Sequence, residues 1–211
     1  VLLRGREASG ASWLTLTDAG MLAKIGLNSS GFGVCLNILR SSDDGVRAGV
    51  PVHVLLRALL ACDKVADAIA YTAKLSFGAS SNVLCADASG DTAALEFSPR
   101  GLEFMRGADA ALCHTNHFLA PAAAQHQASL APSLSTVPRL ARISALTGAH
   151  QGKFSVADLQ SMLRDEADGT LSICRKPDPA LAPEICVETV ASVVMDLGKR
   201  VMHVAPDLPS L

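Results

Sequence analysis

Along the chain, apolar positions switch repeatedly between a spacing of two and a spacing of three to four. Ser12 to Thr17 alternates and is rich in β-formers, and Lys24 to Asn28 and Gly33 to Leu39 flank a Ser29-Ser30-Gly31-Phe32 turn, so adjacent antiparallel strands are predicted. After a loop from Ser41 to Gly49, Pro51 suits a first helical turn and Val52, Leu55, Leu59 and Cys62 recur at helical spacing. A second helix is predicted from Asp63 as N-cap, with Val65, Ile69 and Ala73 on one face. Period two returns in Asn82 to Ala86, Ala93 to Phe97 and Leu102 to Met105, a β-meander turning at Asp87 to Asp91. Leu119 to Leu134, rich in Ala, Pro and Gln, is predicted to be a surface loop. Two short amphipathic helices follow, one over Pro138 to Thr147 with Leu140, Ile143 and Leu146 inward, the other opened by a capping box at Ser155 to Asp158. Thr189 to Asp196 and Arg200 to Ala205 close the chain as a hairpin.

Hairpins therefore alternate with helix pairs, and no βαβ repetition supports a parallel sheet. The fold class is α+β: two mainly antiparallel sheets packed face to face with helices outside. With no internal repeat, low-complexity tract or linker, residues 1–211 are read as one domain.

Composition narrows the function. A chain of 211 residues with 49% hydrophobic residues can bury a sizeable core. A net charge of −2 and 4% aromatics supply neither a basic stripe nor a stacking platform for nucleic acid. No apolar run reaches the roughly 18–20 residues that span a bilayer, and the opening Val1 to Arg6 is wrongly built for a signal peptide. The six cysteines, Cys35, Cys62, Cys85, Cys113, Cys174 and Cys186, are scattered without a CxxC, which suggests core thiols in a reducing, cytoplasmic setting. Because Val1 opens in mid-strand, upstream strands are expected to have been lost.

The densest chemistry lies in Cys113-His114-Thr115-Asn116-His117-Phe118, where thiol, imidazole, hydroxyl and amide follow directly on the meander. Asn116 has two readings: an amide donor to a developing oxyanion, or a turn residue bonding its own backbone. His114 and His117 have the residue types of a metal site or, with Cys113, of a Cys–His pair. In an extended segment, however, positions 114 and 117 face opposite ways, and no HExxH or neighbouring carboxylate completes a ligand set. No metal and no cofactor is expected, and packing or supporting hydrogen bonds are the default for both histidines. Asn28, on the Gly-rich hairpin, is either a cleft-lining residue or a turn cap.

Gly20-Met21, Lys24 to Asn37, Gly49-Val50-Pro51-Val52-His53, His114 to His117 and Ser192 to Leu197, in that order, resemble the acyl-coenzyme A:6-aminopenicillanic acid acyltransferase family, the isopenicillin-N acyltransferase-like peptidases. The resemblance spans nearly the whole chain. It implies an N-terminal nucleophile hydrolase, an αββα sandwich matured by autocleavage that exposes a cysteine whose own α-amine, of reference pKa about 7.7–8.0, serves as general base. It further implies that Asn116 is the oxyanion donor and that Arg139 stands near the nucleophile or a substrate carboxylate, with Arg142 one turn on competing. His114, His117 and Asn28 are carried as candidate substrate-binding residues. The implied activity is C–N bond hydrolysis or acyl transfer on N-acyl amino acid, β-lactam or peptide-like amides. The implied partners are a small-molecule amide or acyl-CoA and the upstream segment of its own precursor; the oligomeric state is left open, a homo-oligomer included. Since the family's cysteine precedes the region matching Val1, this chain by itself is expected to be inactive. The rival reading is a catalytically incomplete scaffold or small-molecule binding module of the same fold.

Overall fold

The structure is a computed structural model that describes residues 1–107, 111–130, 135–182, 184 and 186–210. They gather into two compact units, Val1–Leu130 with Met195–Val201, and Ala131–Val194 with Met202–Leu211.

The first unit is built on a seven-stranded antiparallel sheet. Strands β1 (Leu2–Arg6), β2 (Ser12–Leu16), β3 (Ile25–Asn28), β4 (Gly33–Ile38), β5 (Ser81–Ala86), β6 (Thr92–Ser98) and β7 (Gly101–Arg106) lie side by side in chain order. Helices α1 (Val52–Leu59) and α2 (Val65–Thr72) connect β4 to β5. The register fixes which residues share a face: Val34, Cys85 and Ala93 lie in one row, and Leu36, Val83 and Leu95 in the next. These rows meet Leu55, Leu56, Leu59, Val65 and Ala68 of the two helices in one buried cluster with Phe32, Phe77 and Phe97. Each fully buried leucine there contributes about 1.5–3 kcal/mol. Because side chains alternate along a strand, the rows between them, including Asn37, Asn82 and Glu96, face the other way.

Local sequence and tertiary setting disagree at α2. The predicted N-cap, Asp63, instead accepts a hydrogen bond from Ser30 Oγ, and the helix begins two residues later behind Lys64, which makes no side-chain cap. Its first N–H, from Val65, is taken by Asp87 Oδ2 at 3.1 Å, so the β5–β6 turn caps the helix from across the fold. The predicted 119–134 loop also holds a short helix, α3 (Pro121–Ala124), and a bridge between Gln127 and Ser41; positions 131–134 lie outside the described residues. No helix of the described residues is long and apolar enough to cross a membrane.

In the second unit, α4 (Thr136–Ala149) extends the predicted helix by two residues at each end, with Leu140, Ile143 and Leu146 half-buried on one face. The capping box of α5 (Val156–Leu163) forms as read: Asp158 N–H donates to Ser155 Oγ at 3.2 Å, and Ser155 N–H to Asp158 Oδ2 at 2.8 Å. The closing strands β8 (Ala191–Asp196) and β9 (Val201–Pro206) form a separate two-stranded sheet.

Asn28 ties the β3–β4 turn to the helix pair. Its Nδ2 donates to Leu60 O at 3.0 Å and Cys62 O at 2.7 Å, while Oδ1 accepts from Ser30 N at 3.1 Å and Phe32 N at 3.0 Å. Two donor hydrogens and two acceptor bonds use the whole capacity of the amide. Gly31, at the turn's φ of +85°, has no room for a side chain, since a Cβ would meet Leu197 O at 2.7 Å and Ala88 Cβ at 2.8 Å. Removal of the Asn28 amide deprives four backbone groups of a partner, two of those bonds being buried. Asn28→Ala is expected to lower the unfolding free energy by roughly 2–4 kcal/mol in urea titrations, with Asn28→Asp no better because a carboxylate would face two carbonyl oxygens. Unchanged stability in Asn28→Ala would refute this structural role.

Candidate active site

The polar row on the sheet face away from the helices is the starting point. Asn37 of β4, Asn82 of β5, Glu96 of β6 and Glu103 of β7 are directly opposite one another across successive strand pairs. Asn82 is 0% exposed and Glu96 1% exposed, so two large polar side chains are buried side by side in the middle of the sheet. Asn82 Nδ2 donates to Asn37 Oδ1 at 3.0 Å, whereas Asn82 Oδ1 is buried with no hydrogen-bond partner among the described residues. Buried polar groups of this kind are costly unless satisfied.

Residues 113–120 lie along this row. His114 is wholly buried, with Nε2 2.7 Å from Glu96 Oε1 and Nδ1 2.7 Å from Thr115 O. Leu119 N–H donates to Glu96 Oε1 at 2.7 Å and Ala120 N–H to Oε2 at 3.0 Å. Both ring nitrogens of His114 thus face oxygens, Glu96 Oε1 on one side and Thr115 O on the other. Asn116 Nδ2 donates to Ile38 O at 3.2 Å, beside Asn37, and His117 Nδ1 is 3.3 Å from Thr115 Oγ1. Phe118 N–H donates to Gln127 Oε1 at 2.9 Å.

His114 and Asn116 are therefore brought to the polar row. His114, buried with both ring nitrogens engaged, supports the segment and offers no nitrogen to a substrate. Asn28 lies on the helix side of the sheet; it borders an open cleft of about 420 Å³ with Arg4, Leu14, Ser29 and Arg200, but its amide is already saturated. That cleft and a second of about 250 Å³ beside Arg100 and His126 are not lined by residues 113–118. Among the described residues, no group of three or more His, Cys, Asp or Glu side chains is arranged to hold a metal ion.

The arginines belong to the second unit. Arg142 is a structural ion pair: its Nε and Nη2 grip the two oxygens of Asp165 at 3.0 and 2.6 Å. Arg139, in the first turn of α4, donates Nε–H to Ser135 Oγ at 3.0 Å. Burial, and then the charge of Arg175, lowers its guanidinium pKa. Arg175 is 8% exposed, its Nε has no hydrogen-bond partner among the described residues, and its backbone is pinned to Thr189 by two 2.9 Å bonds. Arg175 thus carries a buried guanidinium N–H without a partner among the described residues, in the electrostatic neighbourhood of Arg139.

Glu96, Asn82 and Arg175 were not singled out by the sequence reading. Glu96 had left a trace, a lone carboxylate in the apolar run Ala93-Ala94-Leu95-Glu96-Phe97. Arg175 had none, because an arginine that ends the run Ile173-Cys174 looks like an ordinary surface residue.

Of the thiols, loss of solvation pushes Cys35 and Cys62 up to about 11 and Cys85 up to about 12. Protonated thiols are poor nucleophiles. Cys113 is half-buried beside His114, and all six cysteines are free.

The family described as acyl-coenzyme A:6-aminopenicillanic acid acyl-transferase matches residues 7–209. The 40 kDa form of the acyl-coenzyme A:6-aminopenicillanic-acid acyltransferase of Emericella nidulans is 32% identical over 164 residues, covering 76% of this chain. The chain spans only 44% of that relative's length. Among solved structures, penicillin V acylase from Agrobacterium tumefaciens superposes with a TM-score of 0.67 at 15% identity, covering 93% of this chain and 66% of its own. A variant of conjugated bile acid hydrolase from Clostridium perfringens does so with 0.67 at 12% identity, covering 93% and 74%. These similarities establish the fold as that of the N-terminal nucleophile hydrolases, an α+β sandwich with a large antiparallel sheet.

Thiol reactivity tests the burial account. Under timed alkylation at pH 8 followed by peptide mass spectrometry, Cys35, Cys62 and Cys85 are expected to react roughly a hundredfold more slowly than in the unfolded chain, with Cys113 modified ahead of them. Early labelling of Cys85 would contradict it.

Proposed function

The chain belongs to the acyl-coenzyme A:6-aminopenicillanic acid acyltransferase family, and from that premise we propose that it serves in breaking or transferring an amide acyl group through a cysteine acyl-enzyme. The observation that carries this reading is the placement of Asn116: its neutral amide is held at the end of β4, beside the polar row, by a segment anchored on Glu96. When a thiolate attacks an amide carbonyl, negative charge collects on the carbonyl oxygen. A fixed N–H donor near 3 Å from that oxygen lowers the barrier by roughly 2.7–4 kcal/mol. Asn116 has the required chemistry, since it can donate without carrying a charge of its own.

The nucleophile in this proposal is a cysteine outside these 211 residues, with its own α-amine as base. Two observations support it: the chain spans less than half of its curated relative, and the high thiol pKa values of Cys35, Cys62 and Cys85 leave those residues unsuited to attack. Arg139 and Arg175 are assigned to an anionic group of the substrate, which would relieve the mutual repulsion of the two guanidiniums. The substrate class is a small N-acyl amino acid, β-lactam or other amide, or the corresponding acyl-CoA. Six free thiols fit a reducing, cytoplasmic setting.

In the protein expressed from its full reading frame, Asn116→Ala is expected to lower kcat roughly 10²–10³-fold with KM nearly unchanged. Near-wild-type kcat/KM in a correctly folded variant would remove Asn116 from the chemistry and favour the binding-module reading. Arg139→Ala is expected chiefly to raise KM, by on the order of tenfold for an anionic substrate, while Arg142→Ala leaves both constants within about twofold. A KM effect at Arg142 and none at Arg139 would reverse that assignment.

A further inference from the structure

Resting on that reading of Asn116, we propose that Glu96 is a positioning residue whose carboxylate clamps both ends of the 114–120 segment and thereby holds the Asn116 amide in place. Oε1 accepts from His114 Nε2 before Asn116 in the chain and from Leu119 N–H after it, each at 2.7 Å, and Oε2 accepts from Ala120 N–H at 3.0 Å. One side chain therefore closes a loop of which Asn116 is an interior member. Gln127 supplies a further tether, accepting from Phe118 N–H at 2.9 Å while its Nε2 donates to Arg40 O at 2.9 Å and Ala128 O at 3.0 Å.

A role confined to fold stability does not account for this choice of residue. Charge buried in a sheet is seldom more stable than a well-packed apolar side chain of the same size. What the two oxygens of a carboxylate can do, and an apolar or amide group cannot, is accept from an imidazole N–H and two backbone N–H groups at once. Rigid support of this kind matters to a group whose contribution depends on tenths of an ångström. The buried Glu96 also belongs to the row that contains Asn37, whose neighbour Ile38 accepts from Asn116, so strand register and clamp converge on the same amide.

The test is a double-mutant cycle in the protein expressed from its full reading frame. Glu96→Gln keeps the shape but turns an amide N–H₂ toward donors. It is expected to lower kcat roughly 10- to 100-fold with KM within about twofold, and to have no further effect on kcat in the Asn116→Ala background. Equal fold-losses in both backgrounds, or a rise in KM at unchanged kcat, would overturn the clamp and leave the assignment of Asn116 standing. A neutral Asn116→Ala would overturn both. If Glu96→Gln does not fold, His114→Gln, which leaves the Leu119 and Ala120 bonds intact, should show the same non-additivity with a smaller loss. Independently of activity, amide hydrogen exchange at Leu119 and Ala120 should accelerate in Glu96→Gln, and unchanged exchange there would refute the proposal.

Discussion

A carboxylate in the middle of an antiparallel sheet must be surrounded by donors, and the arrangement around Glu96 follows from that constraint. Its oxygens are met by a buried histidine and two backbone N–H groups. Each is itself a group that could not be left unsatisfied in the interior. The requirement is mutual: without Glu96 the N–H groups of Leu119 and Ala120 would lose their acceptor, and without that segment Glu96 would lose these donors in the interior of the sheet. The polar face of the sheet and the conformation of residues 114–120 are thus one problem with one solution.

The opposite face solves a different problem. Alternating residues of β4, β5 and β6 meet α1 and α2 in an apolar cluster, and Asn28 locks the α1–α2 connection to the β3–β4 turn through four hydrogen bonds. Period-two alternation keeps the two problems separate. The helix side can be optimised for packing density while the other side carries Asn37, Asn82 and Glu96. A one-residue slip of β6 would exchange the faces of Leu95 and Glu96 and abolish core and candidate site together.

Membership of the family and likeness to the penicillin V acylase and bile acid hydrolase structures place this chain on a scaffold where function lives in a few grafted residues. In the proposed reading the neutral amide of Asn116 suits acyl transfer, in which the negative charge to be accommodated exists only transiently.

Much of this was legible in the sequence because local signals suffice for it. Alternation marked β2 to β7, helical spacing marked α1, α4 and α5, and the Ser155–Asp158 pair announced its capping box. The segment from Cys113 to Phe118 declared its chemistry through residue types alone. What escaped depended on partners distant in the chain. The cap of α2 came from Asp87 instead of Asp63, because Ser30 had claimed the nearer carboxylate. Asn28, read as a cleft-lining residue or a turn cap, does cap the β3–β4 turn, but its Nδ2 bonds to Leu60 and Cys62, more than thirty positions away, had no signal in the sequence. Arg139 and Arg142, one turn apart and equivalent by sequence, are told apart by their partners, Arg142 gripping Asp165 and Arg139 donating to Ser135 Oγ. Residue type and spacing determine which groups a segment can offer. Which of those groups is already consumed by a hydrogen bond or an ion pair is decided only when the chain folds.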